Sequence, residues 1–473
     1  MPDSDHGPAL DRTVPKDPPG AWPPARRLAR LATAPVEKFL AIEASSGLLL
    51  LLVTAIALGW ANSRWSESYV ALWHTPLGFQ LGPLAFERDL HFWINDGLMA
   101  IFFFVVGLEI RREMYRGELS ELRRAALPLA AALGGMIVPA CVFLALNQTP
   151  ESRNGWGVPM ATDIAFAVGV LTLLGRRVPP ALRILLLALA VIDDVGAILV
   201  IAIFYSTDLS LTGFAVAAGG VGMILGMQLI GLRYPLMYLL PALLVWAGLY
   251  AGGVHPTLAG VAVGLLTPAR AWLGPRGFAQ HAEGSVAALR RQGSHDEHAA
   301  IPHLAHLDEA RREAISPVES IQHALHGWVA FGIMPLFALA NAGVPLGAAA
   351  LEGTALNVFL GVTLGLALGK PVGIVAFSWL FTRLGVARLP AGMNLMSVAV
   401  VGVVGGVGFT MALFIAQLAF PPGPLLETAK LGILTASAAA ALGSYLLGRA
   451  VLPQTPSPEA AQSEVEAESS TLA

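Results

Sequence analysis

The chain has 473 residues, of which 55% are hydrophobic and only 13% are charged, with a formal net charge of -3. Soluble domains usually carry about 25% charged residues, so this composition excludes an ordinary soluble protein. The single cysteine, Cys141, excludes an intramolecular disulfide. We also expect neither a cofactor nor a nucleic-acid partner.

The chain opens with a proline-rich polar stretch, and residues 1–41 are predicted to form a disordered cytoplasmic arm. A membrane helix needs about 20 mostly apolar residues, because the lipid core cannot satisfy a bare backbone. Apolar windows predict twelve such helices in one domain over residues 42–450, an all-α polytopic membrane protein. The windows cover residues 42–61, 92–110, 126–147, 156–175, 181–204, 211–231, 235–252, 255–269, 324–345, 356–381, 393–420 and 428–448.

Three connecting or terminal regions lie outside the predicted spans. Residues 62–90 contain an apolar alternation broken by Gly and Pro, TPLGFQLGPLAF, which predicts an external β-hairpin. Such a hairpin could pair with its copy in a second subunit, so we expect a homodimer through residues 74–86. Residues 271–320 are predicted to be a charged cytoplasmic insertion loop, and residues 451–473 an acidic, disordered cytoplasmic tail.

The basic residues orient the predicted spans. On the side of the termini lie 24 of the 29 Lys and Arg residues, and the opposite side holds Arg64, Arg88 and Arg153. Cytoplasmic loops of membrane proteins carry the excess of Lys and Arg. The distribution therefore predicts that both termini are cytoplasmic, and it supports an even number of spans.

Two adjacent aspartates, Asp193 and Asp194, lie in the middle of the fifth predicted span. A charge at the bilayer centre costs roughly 2.5–3.5 kcal/mol, and such residues usually mark an ion or proton pathway. Consecutive helical residues point about 100° apart, so one carboxylate can pair with a cation while the other faces a water-filled cavity. Carboxylates bind small hard cations, and protons compete for the same oxygens. A structural salt bridge is the plainer alternative.

Two predicted spans contain matching interruptions. Pro159 and Thr162 interrupt the fourth span, and four glycines cluster in the VGVVGGVGFTM stretch of the eleventh. Paired interruptions in corresponding halves of a transporter indicate a binding site near the midplane. Asp163, beside the first interruption, could neutralise two positive helix N-termini. Lys370, in the tenth span, could neutralise negative C-termini or pair with Asp193.

Several stretches together resemble the NhaA-type bacterial sodium/proton antiporters. They are NDGLMAIFFFVVGLEIRREM, ATDIAFAVGVL, LALAVIDDVGAI, GVHPTLAGV, PLFALANAGV, GKPVGI and GGVGFTMALFIAQLAF, which extend in family order from about residue 40 to residue 450. The resemblance implies an inverted repeat of spans 3–5 against spans 10–12, with discontinuous helices 4 and 11. It also implies an electrogenic, pH-dependent exchanger of Na+ or Li+ for H+ in the bacterial inner membrane.

The resemblance also implies roles for individual residues. Asp194 would be the principal Na+ ligand, with Asp193 beside it in contact with Lys370, and Thr162 and Asp163 would line the same site. From the residues alone, the second proton could be carried either by Asp193 or by the lysine. Alternating access around this site would couple the two ions.

Glu109, Glu113 and His255 match family positions associated with the pH response. For the two glutamates, an ion-paired helix end is an equally good interpretation, since arginines lie between them. Gln322 departs from the family, because better-known members have glutamate at that position. The 271–320 loop adds five irregularly spaced histidines, for which a weak metal site or pH response is open: His281, His295, His298, His303 and His306.

Two other functions are consistent with buried aspartates. A sodium-coupled symporter would need an additional pocket for an organic substrate, and no polar cluster in the sequence indicates one. An intramembrane aspartyl protease needs two aspartates on different helices that converge on one water molecule. Asp193 and Asp194 are adjacent on one helix and cannot converge in that way, so we expect a transporter and not an enzyme.

Overall fold

The computed structural model describes residues 45–81, 84–206, 209–232, 234–292, 297–346, 352–390 and 392–452, which are mostly helical. The predicted arm and nearly all of the predicted tail lie outside these residues. The first half comprises α1 (Ser45–Ala61), α2 (Ser66–Trp73), β1 (Pro76–Leu81), β2 (Leu84–Asp89), α3 (Leu90–Arg116), α4 (Leu122–Leu146), α5 (Pro150–Met160), α6 (Ile164–Leu173), α7 (Pro180–Phe204) and α8 (Leu211–Leu229). The second half comprises α9 (Pro235–Ala251), α10 (Thr257–Leu266), α11 (Gly274–Gln292), α12 (Glu297–Ala314), α13 (Pro317–Asn341), α14 (Gly353–Arg383), α15 (Leu395–Gly405), α16 (Phe409–Ala419) and α17 (Pro424–Val451). Single 3₁₀ turns cover Glu118–Ser120 and Gly175–Arg177.

Each of the twelve predicted apolar segments overlaps at least one helix of this fold. Within the described ranges, seven helices are long and apolar enough to cross a membrane, and three bent helix pairs raise the number to as many as ten. Helices α9 and α10 are apolar but shorter. The protein is thus a multi-pass membrane protein, while the count of twelve and the inverted repeat stay predictions.

Both predicted interruptions are present as bent pairs, 47° between α5 and α6 and 53° between α15 and α16. The first break follows Pro159, which has no backbone N–H to continue a helix. The second break is a run of glycine and valine residues. Gly408 in this run packs against the first break, because a Cβ added at Gly408 would come within 3.1 Å of the Ala161 carbonyl oxygen. The two breaks are joined where the Asp163 N–H donates to the Val407 carbonyl oxygen, at 2.8 Å.

Three spans contain a π-helical turn, which is a feature often found at functional sites. These turns are Trp93–Leu98 in α3, Val329–Ile333 in α13 and Gly365–Gly369 in α14. The turn in α14 ends immediately before Lys370, so it sets the direction in which that side chain leaves the helix.

Small residues allow α4 and α14 to pack closely. A Cβ added at Gly134 would overlap the carbonyl oxygen of Gly373, and a Cβ added at Gly373 would overlap that of Gly134. Membrane helices associate through such small-residue contacts because lipid provides no hydrophobic drive between them. This contact brings the helix that carries Lys370 against α4.

The segment predicted as a hairpin contains β1 and β2, which pair antiparallel with Gly78 opposite Glu87. Glycine is required at position 78 because a Cβ would lie 2.6 Å from the Phe86 carbonyl oxygen. The hairpin is tied to α9 by Arg88, whose Nε donates to the Tyr250 hydroxyl at 3.0 Å. The hairpin's place outside the membrane and its part in a dimer stay predictions.

The predicted 271–320 loop is largely helical, because α11 and α12 pack against each other within it. Arg311 and Arg312 donate to Asp308, and these bonds hold the pKa of the Asp308 carboxyl below its usual range. Arg312 also lies over the ring of Tyr234, 5.7 Å from its centre. No cluster of His, Cys, Asp and Glu suited to a metal ion occurs among the residues described, and His295 lies outside them.

Candidate cation-binding site

Asp163 joins the two helix breaks through one carboxylate. It is the N-cap of α6, where Oδ1 accepts the N–H of Phe166 at 3.0 Å. Its Oδ2 accepts the N–H of Thr410 at 3.1 Å, in the first turn of α16, and also the hydroxyl of Thr410. Helix N-termini carry about half a positive charge each, so this buried carboxylate neutralises two of them. That arrangement matches the prediction from the sequence.

Asp193 and Lys370 form a completely buried ion pair. The Asp193 Oδ2 atom lies 2.8 Å from the Lys370 Nζ atom. Lys370 also donates to the carbonyl oxygen of Met160, the last residue of α5, so it meets a negative helix C-terminus as well. The sequence left these two partners as alternatives, whereas in the structure the lysine contacts both.

Thr162 holds the same carboxylate from the other side. Its Oγ1 atom lies 2.8 Å from Asp193 Oδ2 and 3.2 Å from the carbonyl oxygen of Gly405. Because the hydroxyl has one proton, the nearer and charged acceptor takes it. The other oxygen of Asp193, Oδ1, is buried and has no hydrogen bond to any described residue.

Asp194 lies beside this pair and is only 2% exposed. It makes no hydrogen bond or ion pair with any residue that the structure describes. The charges that act on it most strongly are those of Glu109, Asp193, Lys370 and Asp163. Three of these four groups are carboxylates and one is a cation, so the site has an excess of acidic groups.

The pH-related residues predicted from the resemblance lie in three different surroundings. Glu109 accepts a hydrogen bond from Gln322 Nε2 at 3.1 Å, and the Gln322 Oε1 atom accepts from Arg112 at 3.2 Å. Glu113 lies 3.5 Å from Arg112, and its Oε2 atom accepts the N–H of Glu118 at 3.1 Å. Glu113 therefore caps the turn after α3, in agreement with the interpretation of an ion-paired helix end.

His255 lies two residues before α10 and faces an aspartate other than the three at the candidate site. Its Nδ1 atom is 3.8 Å from an Asp96 carboxylate oxygen, too long for a hydrogen bond, and has no other partner among the described residues. The Asp96 carbonyl oxygen accepts from the indole of Trp246 at 3.0 Å.

The sequence alone missed Thr410, the Met160 carbonyl and the bridging role of Gln322. Thr410 had a signal, because it follows the glycine cluster as Thr162 follows Pro159. The Met160 carbonyl had none, since every residue has a backbone oxygen and only the fold selects one.

A buried ion pair, two further aspartates and two broken helices inside a bundle of apolar spans define an integral-membrane ion transporter. The family described as Na+/H+ antiporter 1 matches residues 37–447. The chain belongs to that family of sodium/proton antiporters.

Relatives match over nearly the whole chain. A Na(+)/H(+) antiporter NhaA 2 of Myxococcus xanthus is 58% identical over 96% of this chain and 97% of its own. A second NhaA 2, from Sorangium cellulosum, is 55% identical over 96% and 98%, and an NhaA of Bordetella petrii is 51% identical over 89% and 91%. The solved sodium proton antiporter MjNhaP1 of Methanocaldococcus jannaschii is 13% identical, covers 91% and 97% of the two chains and has a TM-score of 0.45, a likeness too weak to bear on the fold.

Proposed function

We propose that this chain exports Na+ or Li+ from the bacterial cytoplasm in exchange for external protons, at the site formed by Asp163, Asp193 and Asp194. The observation that supports this proposal best is the excess of acidic groups around one lysine. Asp193 Oδ1 and the Asp194 carboxylate have no hydrogen-bond partner among the described residues. Buried carboxylates without partners require a cation or a proton.

Exchange follows from competition for these oxygens. A small hard cation and a proton each compensate the buried negative charge, but they occupy the same lone pairs. Reorienting the empty, ionised site is too costly, since Lys370 then compensates only one of its carboxylate charges. We infer that the site reorients only when it is loaded, which couples the outward movement of Na+ to the inward movement of H+.

In this proposal Asp194 is the principal cation ligand, and Asp193 is released from Lys370 when the cation arrives. Thr162 positions Asp193, and Asp163 holds the two half-helices at the crossing. If two protons enter for each Na+ that leaves, exchange is electrogenic, and the second proton is carried either by Asp193 or by Lys370. Glu109, Glu113 and His255 are proposed to tune the response to pH.

Both termini are proposed to be cytoplasmic, in the inner membrane. A homodimer is proposed through residues 74–86, because a two-stranded hairpin leaves strand edges free to pair. Crosslinking in native membranes tests the dimer: wild type gives a dimer band, and replacement of residues 76–89 by a Gly-Ser linker removes it. Persistence of the band would place the interface elsewhere.

The test of the exchange uses everted vesicles with an acid interior, made from cells that lack their own sodium/proton antiporters. Added Na+ or Li+ dissipates the pH gradient with wild type, and Asp194→Asn abolishes this effect. The matched control is Asp308→Asn, which removes an exposed carboxylate on α12 and leaves exchange unchanged. Normal exchange by the Asp194 variant would refute the assignment of the site, and no exchange by wild type would refute the function.

A further inference from the structure

A second buried polar cluster lies away from the aspartates, where three amide side chains form a closed ring. Asn95 Nδ2 donates to Gln417 Oε1 at 2.7 Å, Gln417 Nε2 donates to Asn341 Oδ1, and Asn341 Nδ2 donates to Asn95 Oδ1 at 2.8 Å. Each amide is therefore a donor to one neighbour and an acceptor from the other. The ring joins three helices, α3, α13 and α16.

His91, one turn before Asn95, completes the cluster as its titratable member. Its Nε2 atom lies 3.0 Å from Asn341 Oδ1, which can only accept, so Nε2 carries the proton. The Asn95 Nδ2 atom lies 3.1 Å from both ring nitrogens and can only donate, so Nδ1 must be an acceptor. The amide ring therefore favours a neutral histidine, because a second proton would place the Nδ1 N–H of His91 against the Asn95 N–H.

The predicted topology places His91 near the external surface. His91 is half-buried in the first turn of α3, directly after the hairpin that is predicted to lie outside the membrane. The titratable groups that face it are Asp89 and His74 on the hairpin side and Lys430 on α17. The Nδ1 atom of His74 lies 3.3 Å from a carboxylate oxygen of Asp89, so these two groups face each other as well as His91.

The ring connects α16, which contacts Asp163, to two helices that do not. Gln417 lies seven residues after Thr410 on α16, so the ring is about 10 Å along that helix from the Asp163 carboxylate. Asn95 and Asn341 lie on α3 and α13, which provide none of the contacts of Asp163, Asp193 and Lys370 described above. A movement of α16 relative to α3 and α13 would have to open the ring.

We propose that the ring of Asn95, Asn341 and Gln417 with His91 is a proton-sensitive latch that keeps the external side of the site closed. The latch rests on the proposed exchange function. It is closed when His91 is neutral and opens when an external proton reaches this side chain. Opening it raises the fraction of molecules that are accessible from outside, so acid on the outside promotes entry of the protons that are to be exchanged.

The test compares half-saturating Na+ from the two sides, in right-side-out and in everted vesicles at pH 8. Gln417→Leu removes both amide bonds and keeps the size of the side chain. In wild type the closed latch keeps the external-facing state rare, and the variant populates this state more. The external Na+ concentration that gives half-maximal exchange should therefore fall on the order of tenfold in the variant. The cytoplasmic Na+ concentration that gives half-maximal exchange should change less than about threefold, because the state open to the cytoplasm stays well populated.

The matched control is Gln228→Leu, which removes another amide bond in a span, from Gln228 Nε2 to the Leu266 carbonyl oxygen at 2.8 Å. It is expected to leave both values within about twofold of wild type. Should Gln417→Leu not reach the membrane, Gln417→Asn carries the same expectation, since its amide is one methylene too short to bridge Asn95 and Asn341.

The role of the proton is tested with His91→Gln, which can make the same two bonds without titrating. At external pH 8 the variant and wild type should have equal half-saturating external Na+. As the external pH is lowered from 8 to about 5, the ratio of variant to wild type rises above one, because only the wild-type latch can be opened by a proton.

The outcomes separate the latch from the function on which it rests. Wild-type vesicles without Na+-dependent proton movement would overturn the proposed function and the latch together. Suppose that wild type exchanges but Gln417→Leu has the same half-saturating Na+ concentrations as Gln228→Leu, or raises those on both sides equally. The latch would then be wrong, and the exchange function would stand. A ratio of His91→Gln to wild type that does not change with pH would remove the proton-sensing part.

Discussion

Removal of the buried lysine should destabilise the protein more than any other single change at the site. Lys370 is completely buried and has two partners, Asp193 at 2.8 Å and the Met160 carbonyl oxygen. Lys370→Met fills a similar volume but leaves a buried carboxylate with only the Thr162 hydroxyl. Removing one partner of a buried ion pair costs about 3–5 kcal/mol of stability. We therefore expect the free energy of unfolding to fall by that amount at pH 8.

The matched comparison is the double variant Lys370→Met with Asp193→Asn, in which neither partner is charged. Replacing both members of a buried pair by neutral groups is often close to neutral, so the double variant should lie within about 1–2 kcal/mol of wild type. Asp193→Asn alone should cost less than the lysine variant, because Lys370 keeps the Met160 carbonyl. The assay is equilibrium unfolding in mixed detergent micelles, followed by circular dichroism.

The same assay at pH 5 checks the electrostatic cause. In Lys370→Met, the freed carboxylate can become neutral by taking up a proton, so the loss relative to wild type should be smaller at pH 5 than at pH 8. A loss below about 1 kcal/mol at pH 8, or one equal in the single and double variants, would show that the pair is not ionised in the folded protein.

The remaining predictions concern packing and the response to pH. Thr410→Val should lower the free energy of unfolding by about 1.5–3 kcal/mol, since it removes a hydroxyl donor to a carboxylate, and Thr410→Ser should not. Gly134→Ala should cost about 1–3 kcal/mol by overpacking, whereas Gly219→Ala, with open space around it, should be neutral or slightly stabilising in the same assay. Gln322→Glu places a second carboxylate beside a first, so the pH midpoint of exchange in vesicles should rise by about half a unit to one unit; an unchanged midpoint would exclude this position from the response.

The general features of the site were predictable because each has a local sequence signal. Proline and a glycine cluster interrupt two apolar runs, and the structure breaks both helices there. Charged residues inside apolar runs are so costly that each indicates a partner, and for Asp193 the partner is Lys370, as the resemblance implied. The sequence also predicted that Asp163 serves helix N-termini, since a carboxylate beside a break has few other roles.

Features that depend on long-range packing were not predictable. The selection of the Met160 carbonyl by Lys370 follows from how α14 packs beside α5, which no local pattern records. Gln322 is 210 positions after Arg112 in the chain, yet it bridges that arginine to Glu109. The 271–320 segment was predicted as a charged loop because its apolar residues are few, although α11 and α12 support each other as a helical pair.

The π turn in α14 makes the length of that helix as important as its composition. A π turn holds one residue more than an α-helical turn, so the residues after Gly365–Gly369 are rotated by about 100° relative to a continuous α-helix. Lys370 is the first of these residues, and its direction toward Asp193 depends on the extra residue. The extra residue therefore sets the direction of the lysine, and loss of one residue from this turn should point Lys370 away from Asp193 even if every other side chain is kept.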